Sequence, residues 1–330
     1  MQGERTTNQD LQLPRVSVAC PAGIRAMQRL VWERGWRRVC VLGSSKNAGK
    51  TTTLNALAAA AGQMGERVGL CSMGLDGEAF DAWLDCPKPR VQVEKGTLLV
   101  TAAAMAQQAG PLLRLLKPAG FRSALGETVL CEARAPGGVQ LCGVPHRAHL
   151  GATVELLRAA GADRVLVDGA YHRQAAAHGD VADALVVAVG AVLGADPQAI
   201  AEAAAPTLAA LATQAWDGEM QGMLEVPGGL SDAWLQRQSL AGVRCLLVEG
   251  PSRVLLGPAA WSELRRRAIR VAARRPLPVC AVTTSTFRPD GAPEDPLALQ
   301  RAVAEVLQRW SLPSLAIVDV VSGMLLGEVP

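Results

Sequence analysis

The sequence predicts an α/β fold, a mostly parallel sheet with helices on both faces. Two observations carry this prediction. Short apolar runs alternate along the 330 residues with longer stretches rich in alanine and leucine, which is the strand–helix rhythm of a parallel sheet. One of these runs, "RRVCVLG", ends in a glycine and passes through "SSKNAGKTT" into a helix-forming segment. That is the layout of a loop that cradles phosphate.

Taken in order, the apolar runs predict strands at 39–43, 68–73, 97–101, 128–133, 139–143, 165–168, 185–189, 245–249, 279–283 and 316–320. Between them the pattern predicts helices at 50–62, 152–160, 197–213, 259–273 and 296–310. The strands at 128–133 and 139–143 surround "RAPGG" and read as an antiparallel hairpin inserted among the alternating units. Two glycines and a proline in "EVPGGLSDAW" interrupt the rhythm near residue 226. The chain thus divides into an extension (1–35), a nucleotide-binding core (36–225) and a C-terminal α/β part (226–330) that can continue the same sheet.

Composition narrows the function. Charged residues are 19% and the formal net charge is +3, a balance that argues against a dedicated nucleic-acid binder. One Tyr, three Phe and seven Trp are too few for a base-stacking platform. The eight cysteines stand singly, without a C-x-x-C pair or a Cys/His cluster, so no zinc or iron–sulfur site is expected. Several sit inside apolar runs such as "VCVLG" and read as small reduced hydrophobes. The first residues lack the apolar core of a signal peptide, and no run reaches the roughly 18 apolar residues of a membrane span. A cytoplasmic protein without a membrane partner is expected.

The loop carries the chemistry. A P-loop reads G-x-x-x-x-G-K-[ST] between a strand and a helix. Gly49, Lys50 and Thr51 fill its last positions, with Thr52 next, whereas the first glycine slot holds Ser44 and Gly43 lies one residue earlier. Gly43, Ser44 and Ser45 supply the tight curvature, and the nucleotide-binding stretch runs on through Lys46, Asn47, Ala48 and Gly49. Amides from Asn47 to Lys50 would surround a β-phosphate at the helix N-terminus. Lys50 would reach the β and γ oxygens, and the Thr51 hydroxyl would ligate Mg²⁺. Lys46 can approach the phosphates but receives no catalytic role.

A metal needs a carboxylate at a neighbouring strand end. "RVLVDGAYHR" runs three apolar residues into Asp168 and Gly169, while Glu249 and Asp319 end other strands. Asp168 is preferred because it lies in the half that holds the loop; an aspartate that merely starts a turn is the alternative. "GLDGEAFD" offers Asp76 and Glu78 to position water or metal, with a solvated Asp-Gly turn as the alternative. The guanine-reading string [NT]-K-x-D is absent, which favours ATP over GTP, and "VTTSTFRPDG" is where a base-contacting loop would fall. "LRRRAIRVAARR" would place Arg266, Arg270 and Arg274 on one helix face, either solvated or facing an acidic partner.

In this order, "GSSKNAGKTTTLNAL", "GLDGEAFD", "KPRVQVEKGTLLVTAA", "VLVDGAYHRQAAA", "VADALVVAVGAVL", "GGLSD" and "TTSTFRPDG" resemble the P-loop subunit of the lysine 5,6-aminomutase reactivase family. The resemblance runs from about residue 36 to the C-terminus. It departs from the family pattern at Leu75, where an arginine is expected, and in "TTSTFRPDG", which lacks Asn-Pro and Ser-Pro. It implies a P-loop NTPase that uses ATP and Mg²⁺ to release damaged cobalamin from an adenosylcobalamin-dependent aminomutase, with a MutS-like partner subunit. Lys50, Thr51, Asp76 and Asp168 would then form the nucleotide and metal site. A D-x-H-x-x-G cobalamin string is absent, so the cofactor would belong to the partner. A small-molecule kinase or an ATP-dependent ligase of the dethiobiotin synthase kind is the alternative on the same fold. A nucleotide switch that hardly hydrolyses is a third.

Overall fold

A computed structural model describes residues 19–74, 90–169, 176–287 and 295–327. The described chain opens with α1 (Pro21–Met27) and a wide π-helical turn, Gln28–Trp32. β1 (Arg38–Gly43), α2 (Lys50–Gln63) and β2 (Val68–Ser72) follow, then β3 (Val91–Val93), β4 (Leu98–Ala102) and α3 (Ala103–Gln108). Next come β5 (Leu113–Ser123), β6 (Gly126–Ala133), β7 (Gly137–Val139), α4 (Arg147–Ala159), β8 (Arg164–Asp168), β9 (Ala184–Gly190) and α5 (Pro197–Leu211). A run of short elements holds β10 (Gln214–Ala215), β11 (Met223–Glu225), β12 (Leu230–Ser231), α6 (Asp232–Leu235), β13 (Cys245–Val248), β14 (Val254–Leu255), α7 (Pro258–Arg266) and β15 (Arg270–Ala273). The chain closes with β16 (Val279–Ser285), α8 (Pro296–Arg309), β17 (Ile317–Asp319) and β18 (Leu325–Leu326).

Among the described residues ten strands form one sheet, ordered β18-β17-β16-β9-β1-β8-β2-β4-β6-β5. The seven from β17 to β4 run parallel, and antiparallel strands close both edges. This is an α/β fold of the kind shared by Rossmann-like and P-loop proteins. Val39 and Val41 pack with Leu54 and Leu57 of α2 and with Met27, Leu30 and Trp32 on one face. Cys40 and Leu42 pack with α4, α5 and α8 on the other, through residues such as Val154, Ile200 and Val303. Burial on both faces is why β1 reads as an unbroken apolar run. The segment expected as an extension joins this core: the Trp32 indole N–H donates to the Leu57 carbonyl at 2.9 Å.

Local signals start the helices. Asp196 and Asp295 cap α5 and α8, accepting from the amides of Ala199 and Leu297, each followed by proline at the first helical position. A second sheet, β10-β15-β13-β11, sits after α5, and the chain then returns to the main sheet through β16. Its core, with Leu246, Val248, Trp261 and Leu264, also takes in Ala209 and Ala210 of α5. Cys40, Cys71, Cys131, Cys142 and Cys245 are buried thiols in these interiors. Among the described residues no helix is long and apolar enough to cross a membrane.

Two expectations need correction. The helix expected over 259–273 ends at Arg266; Ala268 turns left-handed at φ 54°, and 270–273 is a strand paired with β13. The arginine face therefore does not exist. Arg270 pairs with Asp217 at 2.7 Å, and Arg274 pairs with Glu225 at 3.1 Å while lying over the Trp216 ring. The inserted hairpin is formed by β5 and β6 around the turn at Ser123–Gly126, not by the strands around "RAPGG". β7 pairs instead with β3. The strand that the sequence hid, β5, is an exposed edge carrying Lys117 and Pro118, so it shows no apolar run.

Candidate functional site

β1 lies at the middle of the sheet between β8 and β9, so the chain leaves its carboxyl end at a point where the strand order turns both ways. Open parallel sheets bind ligands in that crevice. The loop from Ser44 to Gly49 occupies it. The Ser44 amide donates to the Ala188 carbonyl at 2.8 Å, fixing the loop to the end of β9. Asn47 at φ 57° and Gly49 at φ 89° are both left-handed, which curls the loop back before α2 begins. Gly49 starts that helix without any side-chain cap, so the amides of the first turn are directed out of its end. A Cβ on Gly49 would come within 2.7 Å of the Ser285 Cβ, so the loop also presses against the end of β16.

Lys50 explains the displaced glycine. A Cβ on Gly43 would lie 3.0 Å from Lys50 Cγ, 3.1 Å from its Cδ and 3.0 Å from the Ser45 carbonyl oxygen. The lysine stem therefore folds back across Gly43, and the missing side chain at 43 makes room for it. Lys46, by contrast, is exposed and Ala48 is buried. Ser44 and Ser45 are 3% and 8% exposed, and their hydroxyls have no hydrogen-bond partner among the described residues. Buried hydroxyls in that condition fit a ligand that supplies acceptors. Thr53, one turn into α2, bonds Thr283 of β16 through their hydroxyls at 2.8 Å.

Asp168 ends β8, next to β1, and is 3% exposed. Its rung runs Val41–Asp168–Ser72 across β1, β8 and β2. Leu166 and Leu70, two residues earlier on their strands, pack in the α2-side core, so by alternation Asp168 and Ser72 face the side on which α2 starts. The Gly169 amide donates to the Val41 carbonyl at 3.0 Å, and a Cβ there would meet Leu42 Cδ2 at 2.5 Å. The other two strand-end acids are engaged elsewhere. Glu249 pairs with Arg275 at 3.1 Å beyond the second sheet. Asp319 holds its own turn, accepting from the Val321 and Ser322 amides and the Ser322 hydroxyl.

Two thiols, Cys40 and Cys71, sit on the neighbouring strands one rung before Asp168, level with Val167. Burial pushes the Cys40 thiol well up, and the negative charge of Asp168 and the neighbouring Cys71 add to it. Burial and Asp168 do the same to Cys71. Both stay protonated at neutral pH and offer no nucleophile. Among the described residues no group of three His, Cys, Asp or Glu side chains could hold a metal ion. A cation at this edge would be shared between Thr51, Asp168 and phosphate oxygens, and these hard oxygen donors suit Mg²⁺.

The structure thus brings Gly43 to Thr52 and Asp168 together at one sheet edge. Asp76 and Glu78 lie outside the described residues, as does the "RPDG" part of the expected base loop; its first part ends β16, beside Gly49. Sequence reasoning missed Ser72, whose only signal was its position as the polar residue closing an apolar strand, whereas Ser285 lies within the expected base loop. No protein-family model matches the chain, and neither a curated protein nor a solved structure matches it.

Proposed function

We propose that the protein is a Mg²⁺-dependent P-loop ATPase that acts as a reactivating chaperone for an adenosylcobalamin-dependent aminomutase, with a MutS-like partner subunit. The observation that supports the ATPase reading is the Lys50 side chain folded over Gly43, two positions beyond the Val41–Asp168 rung. The chaperone reading rests on the order of the motif strings that resemble the lysine 5,6-aminomutase reactivase family.

In this reading the loop amides and the first turn of α2 hold the β-phosphate, and the Lys50 ammonium neutralises charge on the β and γ oxygens. Thr51 contributes its hydroxyl to the metal, and Asp168 holds the metal's water shell. Mg²⁺ held by Thr51 and Asp168 would supply positive charge against the phosphates. Asp76 and Glu78 orient the attacking water. The nucleotide moves a bound mutase only by the difference in affinity between the ATP and ADP states. Driving a closed mutase from 1:99 to 99:1 open takes roughly 5.5 kcal/mol of such difference.

The test is a titration of the purified protein with fluorescent ATP and Mg²⁺, beside Lys50→Ala. The wild type binds, and the variant binds about 10- to 100-fold more weakly, as loss of a charge-assisted contact requires. ATP turnover is then measured alone, with the MutS-like subunit, and with an inactivated aminomutase. Turnover raised by those proteins, with mutase activity recovered, supports the chaperone. Turnover that answers only to a small carboxylate or amine replaces it with the ligase or kinase.

A further inference from the structure

We infer that Ser72 is a positioning residue for the Asp168 carboxylate and for the water shell of the cation that accompanies the nucleotide. The inference rests on the nucleotide reading and names a residue that neither the loop motif nor the strand-end aspartate picks out.

Ser72 closes β2, a strand otherwise built of Val68, Gly69, Leu70 and Cys71. It is 1% exposed, and its hydroxyl has no hydrogen-bond partner among the described residues. A buried hydroxyl left without a partner destabilises the chain that carries it. Alanine would pack there at no such cost, so packing alone does not account for a serine. Its position supplies a reason. Ser72 is the register partner of Asp168, on the face where α2 begins and Lys50 crosses Gly43. The backbone around it is fixed: the Met73 amide donates to the Asp168 carbonyl at 3.0 Å, and the Gly74 amide to the Val144 carbonyl at 3.1 Å. A hydroxyl held in register with a carboxylate can donate to that carboxylate or to a water beside it.

Ser44 and Ser45 share the orphaned condition, but they lie within the phosphate loop itself. Ser72 lies on a different strand, two places from β1, and faces the side on which α2 begins.

The experiment compares binding of a fluorescent ATP analogue in Mg²⁺ and in EDTA for the wild type, Ser72→Ala and Ser72→Thr, with thermal unfolding of each ligand-free protein. Wild type binds more tightly in Mg²⁺. Ser72→Ala keeps its EDTA affinity within about twofold and loses about threefold to tenfold of the Mg²⁺ gain, the worth of one hydrogen bond. Its ligand-free melting temperature is equal to or above wild type. Ser72→Thr keeps the hydroxyl and the gain. An unchanged Mg²⁺ gain in Ser72→Ala overturns the inference, and so does its loss in Ser72→Thr as well, which would assign the effect to strand packing. A wild type that binds no nucleotide in either buffer overturns the ATPase reading itself, a separate result.

Discussion

Position 43 shows what a single residue can conceal. In the sequence Gly43 is a glycine one place out of register with the loop motif; in the structure it is the floor over which Lys50 folds. The contact joins residues seven apart across a turn, so no local pattern announces it. Asp183 is a second such case. Its Oδ2 accepts from the Arg37 and Arg38 amides at 3.2 and 2.9 Å, and its Oδ1 accepts from the Arg38 guanidinium, tying the start of β1 to β9. Burial pushes this carboxyl up, but the Arg38 side chain and the two amides outweigh it and hold it below the usual range. With the folded value depressed, its stabilisation is complete above the unfolded value of about 3.9 and vanishes as pH falls through the folded value. Asp183→Asn is expected to cost about 2 kcal/mol at pH 7, the worth of hydrogen bonds to a charged group. Urea unfolding should show that deficit shrinking below about pH 4. An equal deficit at pH 3 would rule out the charged form as its source.

At the scale of elements, the parallel strands and their helices were legible because burial on both faces leaves unbroken apolar runs, as in 39–43 and 185–189. The segment 259–273 was not. Alanine and arginine are good helix formers, and nothing local reveals that Val271 and Ala272 pair with Leu246 and Leu247. The switch is made at Ala268, whose left-handed φ of 54° closes α7, while the Ile269 amide donates back to the Leu264 carbonyl at 2.9 Å. That is a glycine's position after a helix. Ala268→Gly is therefore expected to raise the free energy of unfolding by about 0.5–1 kcal/mol, relief of left-handed strain exceeding the added chain entropy. Denaturant titration decides it. A loss of about 1 kcal/mol, the usual cost of glycine inside a helix, would favour the continuous helix that the sequence suggests. The hairpin was hidden for another reason: β5 guards its edge with Lys117, Pro118 and two register shifts against β6, the devices that keep a free edge from pairing.

At the scale of the whole molecule, the strand–loop–helix turn from β1 into α2 was legible because its sequence fixes its own local geometry, whereas of the second sheet only the strand at 245–249 was, because its strands are only two to four residues long. The two sheets are not independent in packing. α5 contributes to both cores, and Trp310, at the end of α8, packs against each. The cysteines turn that architecture into a built-in gauge of cooperativity. Cys40, Cys71 and Cys131 report the main sheet and Cys245 reports the second, while Cys20 and Cys280 are only partly buried. A thiol reagent pulsed along a denaturant series, with labelling read site by site by mass spectrometry, measures local opening without any engineered probe. One shared midpoint for Cys71 and Cys245 is expected from the shared helix. An earlier midpoint at Cys245 would mean that the second sheet opens alone, and that strain applied there need not reach the loop between β1 and α2.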